Sequence, residues 1–184
     1  MEIKISTTQV LKILYVLSWI IFVGLCIEAG GFIFNAFFTL LINPVDAGHF
    51  WKQVDLSNLY KYDHGYFFVV TFLMIIVAVM QAILFYLIVK ILHGKKLNMS
   101  QPFNRETGKF IFNVAYLSLG IGLFSLWGVK YAEWFISKGV KMPDVQYLRL
   151  GGADVWLFMS VTLFVIAQIF KRGIEIQTEN ELTI

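Results

Sequence analysis

The sequence is poor in charged residues and in cysteine. Charged residues make up 15% of the 184 positions, whereas soluble domains carry about 25%. The formal net charge of +3 is too small to indicate direct nucleic-acid binding. The single cysteine, Cys26, excludes an internal disulfide bond and leaves the redox compartment open.

The sequence also lacks the motifs that carry catalysis. It contains no nucleophile motif, no phosphate-binding loop and no paired-carboxylate pattern. Histidines and carboxylates do share one segment, but their spacing matches no metal motif such as H-E-x-x-H. The residues of that segment are Asp46, His49, Asp55, Asp63 and His64. We therefore predict no metal site, no cofactor and no enzymatic activity.

Long apolar blocks dominate the remainder of the chain, which is 58% hydrophobic. Blocks of about 20 apolar residues are long enough to cross a hydrocarbon core about 30 Å thick. We predict an all-α integral membrane protein, a four-helix bundle that forms a single domain over residues 1–184. The predicted spans are residues 10–31, 67–92, 110–127 and 155–170.

The first apolar run is longer than one span requires. Val10 to Ile42 would form about 50 Å of helix at about 1.5 Å per residue. The pair Gly30-Gly31 offers a break because paired glycines weaken a helix. Residues 32–42 would then either extend the first span or bend into the outer interface.

The orientation is predicted from the connection at residues 93–109, which carries an excess of Lys and Arg. Such basic connections stay on the cytoplasmic side. With both termini cytoplasmic, nine of the 15 Lys and Arg residues lie inside and six outside. The outer segments are then residues 32–66 and 128–154, where residues 129–137 are predicted to form a short interfacial helix. Four tryptophans at the outer ends predict an aromatic-rich cap: Trp51, Trp127, Trp134 and Trp156.

Small residues predict where the spans pack, because close approach of backbones drives helix association in lipid. In the third span they recur at spacings of three and four, at Ala115, Ser118, Gly122 and Ser125. This stripe is typical of a close-packed bundle. The alternative interpretation is a pore or groove lined by small residues.

One acid lies within a predicted span. Glu28 is a candidate intramembrane polar site, together with Gln81 and Asn113. Two interpretations remain: a proton or cation pathway, or a carboxylate near the outer interface that is hydrated or bonded to the outer cap. The position of Glu28 far along the run favours the second.

The C-terminal tail, residues 173–184, combines acidic and aliphatic side chains. Free tails rarely carry so many aliphatic residues, so we predict that it is ordered and docks on the basic cytoplasmic end of the bundle. Asn104 is predicted to cap the third helix, with Glu106 at the positive end of its dipole. The candidate partner surface comprises Lys95, Lys96, Arg105, Lys109, Lys171, Arg172, Glu179, Glu181, Leu182 and Ile184.

Two stretches resemble a bacterial membrane family known as domain of unknown function 2975. They are the connection from Gly94 to Pro102-Phe103-Asn104 and the ending IFKRGIEIQTENELTI. Glu181 stands where the family usually has aspartate, and the connection is longer than the short G-x-P-F form. The resemblance implies a four-span inner-membrane protein without assigned activity, and a partnership with a small helix-turn-helix regulator.

Together these features favour a non-enzymatic inner-membrane regulator or sensor, in contact with membrane lipid, that binds a cytosolic protein through the inner loop and the tail. The alternative is a small transporter or channel subunit with Glu28 on its pathway. A structural subunit of a larger complex is a third possibility. The sequence indicates no ligand and no oligomeric state.

Overall fold

The structure is a computed structural model, and it describes residues 7–52, 54–93 and 103–181. Within these ranges the chain is helical and contains no strand beyond one isolated bridge between Trp51 and Val54. Four helices are long and apolar enough to cross a membrane, which confirms the predicted all-α membrane class. The elements are α1 (Thr7–Leu41), a 3₁₀ helix (Pro44–His49), α2 (Ser57–Tyr62), α3 (His64–His93), α4 (Arg105–Ser137) and α5 (Ala153–Glu181).

The four long helices pack in the order α1, α3, α4, α5. Helix α3 lies between α1 and α4, and α4 lies between α3 and α5. Among the described residues, the backbones of α1 and α5 make no contact with each other. We call the end that holds residues 42–63 and 138–152 the connector end, and the opposite end the terminal end. In the described part of the chain the bundle is therefore an open row, with α1 and α5 at its two edges.

Helix α1 is continuous through Gly30-Gly31, so the predicted break is wrong and the extension alternative holds. The physical reason lies in tertiary packing. Gly31 lies against the indole of Trp51, and a Cβ atom there would overlap the ring. A glycine in this helix therefore allows close packing of a connector and does not interrupt the helix.

Helix α4 is also longer than the predicted third span. Residues 129–137, predicted to be a separate interfacial helix, form its last turns. Gly128 stands just before these turns and does not break the helix, because the side chain of Leu150 packs against it. The ring of Phe135 is buried and contacts Tyr62 and Tyr66, which ties α4 to α2 and α3.

The N-terminus of α4 begins as predicted. The side chain of Asn104 accepts a hydrogen bond of 2.8 Å from the backbone N–H of Thr107. This cap satisfies one of the amides that the first helical turn leaves unpaired. It also fixes the start of α4 beside the last turns of α5.

The small-residue stripe of α4 packs as the bundle interpretation predicts. Ala115, Ser118 and Ser125 are buried. Gly122 lies so close to Leu157 of α5 that a Cβ atom would be 2.8 Å from its side chain. The stripe is thus filled by α5 and does not line an open groove.

The connectors form a packed layer at their end of the bundle. Their aliphatic and aromatic side chains Phe50, Leu56, Leu59, Leu148 and Leu150 are fully buried. Hydrogen bonds from Ser57 lower the pKa of the Asp55 carboxyl, and attraction to Lys141 and His49 adds to them. Asp55 and Lys141 belong to different connectors, so this attraction acts between the two segments.

Candidate functional site

Among the described residues, the most buried charge pair joins α1 to the second connector. The Nε of Arg149 donates a hydrogen bond of 2.8 Å to Oε1 of Glu28. The Glu28 side chain is 11% exposed and the Arg149 side chain 51% exposed. Glu28 is thus paired and bonded to a connector, in the geometry that the interfacial interpretation describes. The ion pair therefore joins α1, at one edge of the row, to the connector that leads into α5 at the other edge.

The local sequence directs Arg149 toward α1. Leu148 and Leu150 on either side are fully buried, so the intervening side chain points the other way. A turn holds the segment: the carboxylate of Asp144 accepts a hydrogen bond of 2.7 Å from the N–H of Gln146. Arg149 itself has φ of 60°, a conformation that costs a non-glycine residue about 1 kcal/mol or more.

The first connector contributes the other side of the site through a tight turn. The N–H of Val54 donates to the carbonyl of Trp51 at 2.7 Å. Lys52 in this turn has φ of 46°, and its ammonium lies 5.9 Å from the centre of the Trp51 ring. The indole fills the notch that Gly31 leaves on α1.

These residues line a cavity of about 380 Å³ that is open to the surface. Its walls are Glu28 from α1, one turn of the first connector and the Gln146–Arg149 turn of the second. The lining residues are Glu28, Trp51, Lys52, Val54, Gln146, Tyr147 and Arg149.

The other predicted intramembrane residues lie elsewhere. Asn113 lines a separate cavity between α3 and α4, beside Lys90 and Lys109. Gln81 lines neither of these two cavities. Asn35 donates to the carbonyl of Gly31 within its own helix. The structure therefore gives no common polar site to Glu28, Gln81 and Asn113.

The terminal end brings together part of the predicted partner surface. Arg105, Lys109, Lys171, Arg172 and Glu179 all lie on the exposed surface at this end, on the first turns of α4 and the last turns of α5. Of the remaining members, four lie outside the described residues: Lys95, Lys96, Leu182 and Ile184. Glu181 ends α5, and only its backbone is described.

The tail begins as a helix that continues α5, whereas the sequence predicted that the fourth span ends at residue 170. Its first nine residues continue α5 as far as Glu181, so the helix does not end at Lys171-Arg172. Arg172 pairs with Glu175 of the same helix at 3.0 Å, so this charge contact is local. The attachment to α4 is apolar: Phe103 covers Gly173, and Ile174 lies 3.1 Å from where a Cβ of Gly108 would be.

Sequence reasoning identified Glu28 but not its partners. Arg149 is 121 positions away, and Trp51 and Lys52 appeared only as an aromatic and a cation of the outer segments. The available signal was a single cation, Arg149, between the two aliphatic residues Leu148 and Leu150 in the second outer segment. No helical or strand periodicity relates two charged residues that are 121 positions apart, so the sequence could not pair Glu28 with Arg149.

A family model described as "Protein of unknown function (DUF2975)" matches residues 51–184, which is more than half of the chain. No curated protein matches the sequence, and no solved structure matches it. The match includes the residues of both connectors that line the cavity, together with α3, α4 and α5, but it begins after α1 and Glu28.

Proposed function

The chain belongs to the family of proteins of unknown function DUF2975, and from that premise we propose that it is a non-enzymatic regulator or sensor of the bacterial inner membrane. In this proposal the terminal end faces the cytosol and binds a cytosolic protein. The resemblance noted above suggests a small helix-turn-helix regulator as that protein. The proposal includes no direct contact with nucleic acid.

The observation that supports the proposal is the extension of α5 beyond its apolar part. Residues 171–181 continue the helix, and 11 residues add about 16 Å of helix at about 1.5 Å each. The root of the extension is held by Phe103 and Gly108 of the α4 entry. A rigid helical arm held at one side presents its other side to a partner without a large ordering cost.

The free side of this arm carries both charges and an apolar residue. Lys171, Arg172 and Glu175 are exposed, and Ile176 is 45% exposed. Arg105 and Lys109 continue the charged surface onto α4. A charged rim around an aliphatic residue is a composition that suits a helix-to-helix contact with a soluble protein.

Labelling of single cysteines tests the orientation that the proposal requires. The native Cys26 is exposed and should first be replaced by alanine. In that background Lys141→Cys at the connector end should react with an impermeant maleimide in intact cells. Lys171→Cys should react only after lysis, because the basic terminal end stays in the cytoplasm. The reverse pattern would contradict the proposal.

Site-specific photo-crosslinking tests the partner. A photoreactive residue at Ile176 should give one discrete crosslinked cytosolic protein, identified by mass spectrometry. The matched control is Ile169, which is exposed on the same helix within the apolar part and should crosslink only to lipid or membrane protein. Removal of residues 175–184 should abolish capture of the same protein in an affinity pull-down without crosslinking, and should leave thermal unfolding of the bundle unchanged, because α5 packs on α4 before this point. Equal crosslinking at both positions, or capture that survives truncation, would refute a docking role for the arm.

A further inference from the structure

The cavity at the connector end has no role in the function proposed above. It lies between α1 and the connectors, at the opposite end of the bundle from the α5 arm. Its charged residues are Glu28, Lys52 and Arg149. Two cations and one acid leave it with one net positive charge, which favours an anionic occupant.

The hydrogen-bonding groups of the cavity are donors that lack acceptors. Arg149 uses its Nε for Glu28, and no described residue accepts a hydrogen bond from its two Nη atoms. The indole Nε1 of Trp51 is buried and has no hydrogen-bond partner among the described residues. The guanidinium can only donate, and its side chain is 51% exposed, so its Nη edge is open to an acceptor that enters the pocket.

Backbone strain coincides with the same residues. Of the non-glycine residues described, Lys52 and Arg149 are those with φ in the left-handed region, at 46° and 60°. Both line the cavity, and both carry a positive charge. Strained conformations persist where the surrounding structure enforces them and are concentrated at ligand sites.

We propose that this cavity binds a phosphate group, carried by a phospholipid headgroup or by a soluble phosphate ester. Glu28 fixes the guanidinium through Nε and leaves the Nη edge for two phosphate oxygens, a geometry in which arginine binds phosphate strongly. Lys52 adds a second cation, and the faces of Trp51 and Tyr147 accommodate the carbon atoms next to the phosphate. The site is independent of the cytosolic partner.

The experiment uses the full chain in maltoside micelles, which contain no phosphate. One arm titrates inorganic phosphate and glycerol 3-phosphate and follows tryptophan fluorescence. The other arm adds dioleoyl phosphatidylglycerol, with phosphate-free dioleoylglycerol as its control, and counts retained lipid by native mass spectrometry. Saturable binding in the first arm identifies a soluble phosphate, and selective retention in the second identifies a phospholipid. Binding in neither arm overturns the proposal.

Four variants connect binding to the residues. The double variant Glu28→Gln with Arg149→Gln removes the guanidinium without leaving a buried carboxylate unpaired, and should weaken binding about tenfold or more. Lys52→Gln should weaken it about threefold to tenfold. Glu28→Gln alone should tighten it, because the glutamine Oε1 can still accept the hydrogen bond from Nε of Arg149 while the net charge of the cavity rises by one. Lys138→Gln is the matched control, since Lys138 lies 5.8 Å from the Trp134 ring outside this cavity.

The single variant Glu28→Gln distinguishes a ligand site from a purely structural ion pair. A structural pair predicts that Glu28→Gln and the double variant have the same effect on phosphate binding, whereas the proposal predicts opposite signs. If Lys138→Gln weakens binding as much as Lys52→Gln, the effect is general surface charge and the proposal fails. If the double variant is unfolded by circular dichroism, Lys52→Gln against Lys138→Gln decides alone.

Discussion

Replacing Gly31 by alanine is expected to destabilise the protein by about 1–3 kcal/mol, because the new methyl group overpacks a filled contact. The atoms that it would meet are three carbons of the Trp51 indole. The ring cannot swing aside like a flexible side chain, because it also contacts Phe32 of the same helix at a centroid distance of 6.1 Å. The first connector would have to move away from α1.

The adjacent glycine is an internal control. Gly30 has no atom within 4 Å of the position where a Cβ would stand. Gly30→Ala should therefore be neutral or should stabilise by up to about 1 kcal/mol, since glycine disfavours the helix. The measurement is the unfolding free energy of both variants in the same mixed micelles. Equal effects at the two positions would show that Gly31 acts through helix propensity and not through the Trp51 contact.

This pair of glycines shows where prediction from sequence reached its limit. Each glycine does weaken a helix, yet α1 continues through both of them to Leu41. A helix between residues 32 and 41 that packs on α3 and accepts Trp51 compensates for two weak positions. The decisive contact joins residues 20 positions apart in sequence and could not be found from local pattern.

The features that were predictable have local causes. Apolar length identified the four long helices, and Asn104 followed by Glu106 identified the α4 cap. The extension of α5 was not predicted, because the change from apolar to charged residues at Lys171 resembles the end of a span. A change in composition marks where a helix leaves an apolar environment, but backbone hydrogen bonding continues until a residue opposes it.

The candidate site was harder to predict than the helices, because it depends on contacts between residues that are far apart in sequence. Sequence singled out Glu28 because an isolated acid in an apolar run is costly. Its partner Arg149 follows from the way the second connector folds back over Gly128 through Leu150, and no helical periodicity encodes that path. Long-range ion pairs of this kind need the fold before they can be assigned.

Breaking the Glu28–Arg149 pair from the arginine side is expected to cost more stability than breaking it from the acid side. Arg149→Gln leaves a carboxylate that is 11% exposed without its cation, and should destabilise by about 2–4 kcal/mol. Glu28→Gln leaves a guanidinium that is 51% exposed and can hydrate, so about 1 kcal/mol is expected. Glutamine at 149 adopts the same strained backbone as arginine, so that cost cancels in the comparison.

A double-mutant cycle gives the interaction energy directly. The double variant should lose less than the sum of the single variants, with a coupling of about 1–2 kcal/mol. The control cycle is Lys130 with Glu133, a pair at 3.0 Å whose side chains are 67% and 58% exposed, for which about 0–0.5 kcal/mol is expected. Additive single variants at Glu28 and Arg149 would mean that the ion pair does not stabilise the attachment of the second connector to α1.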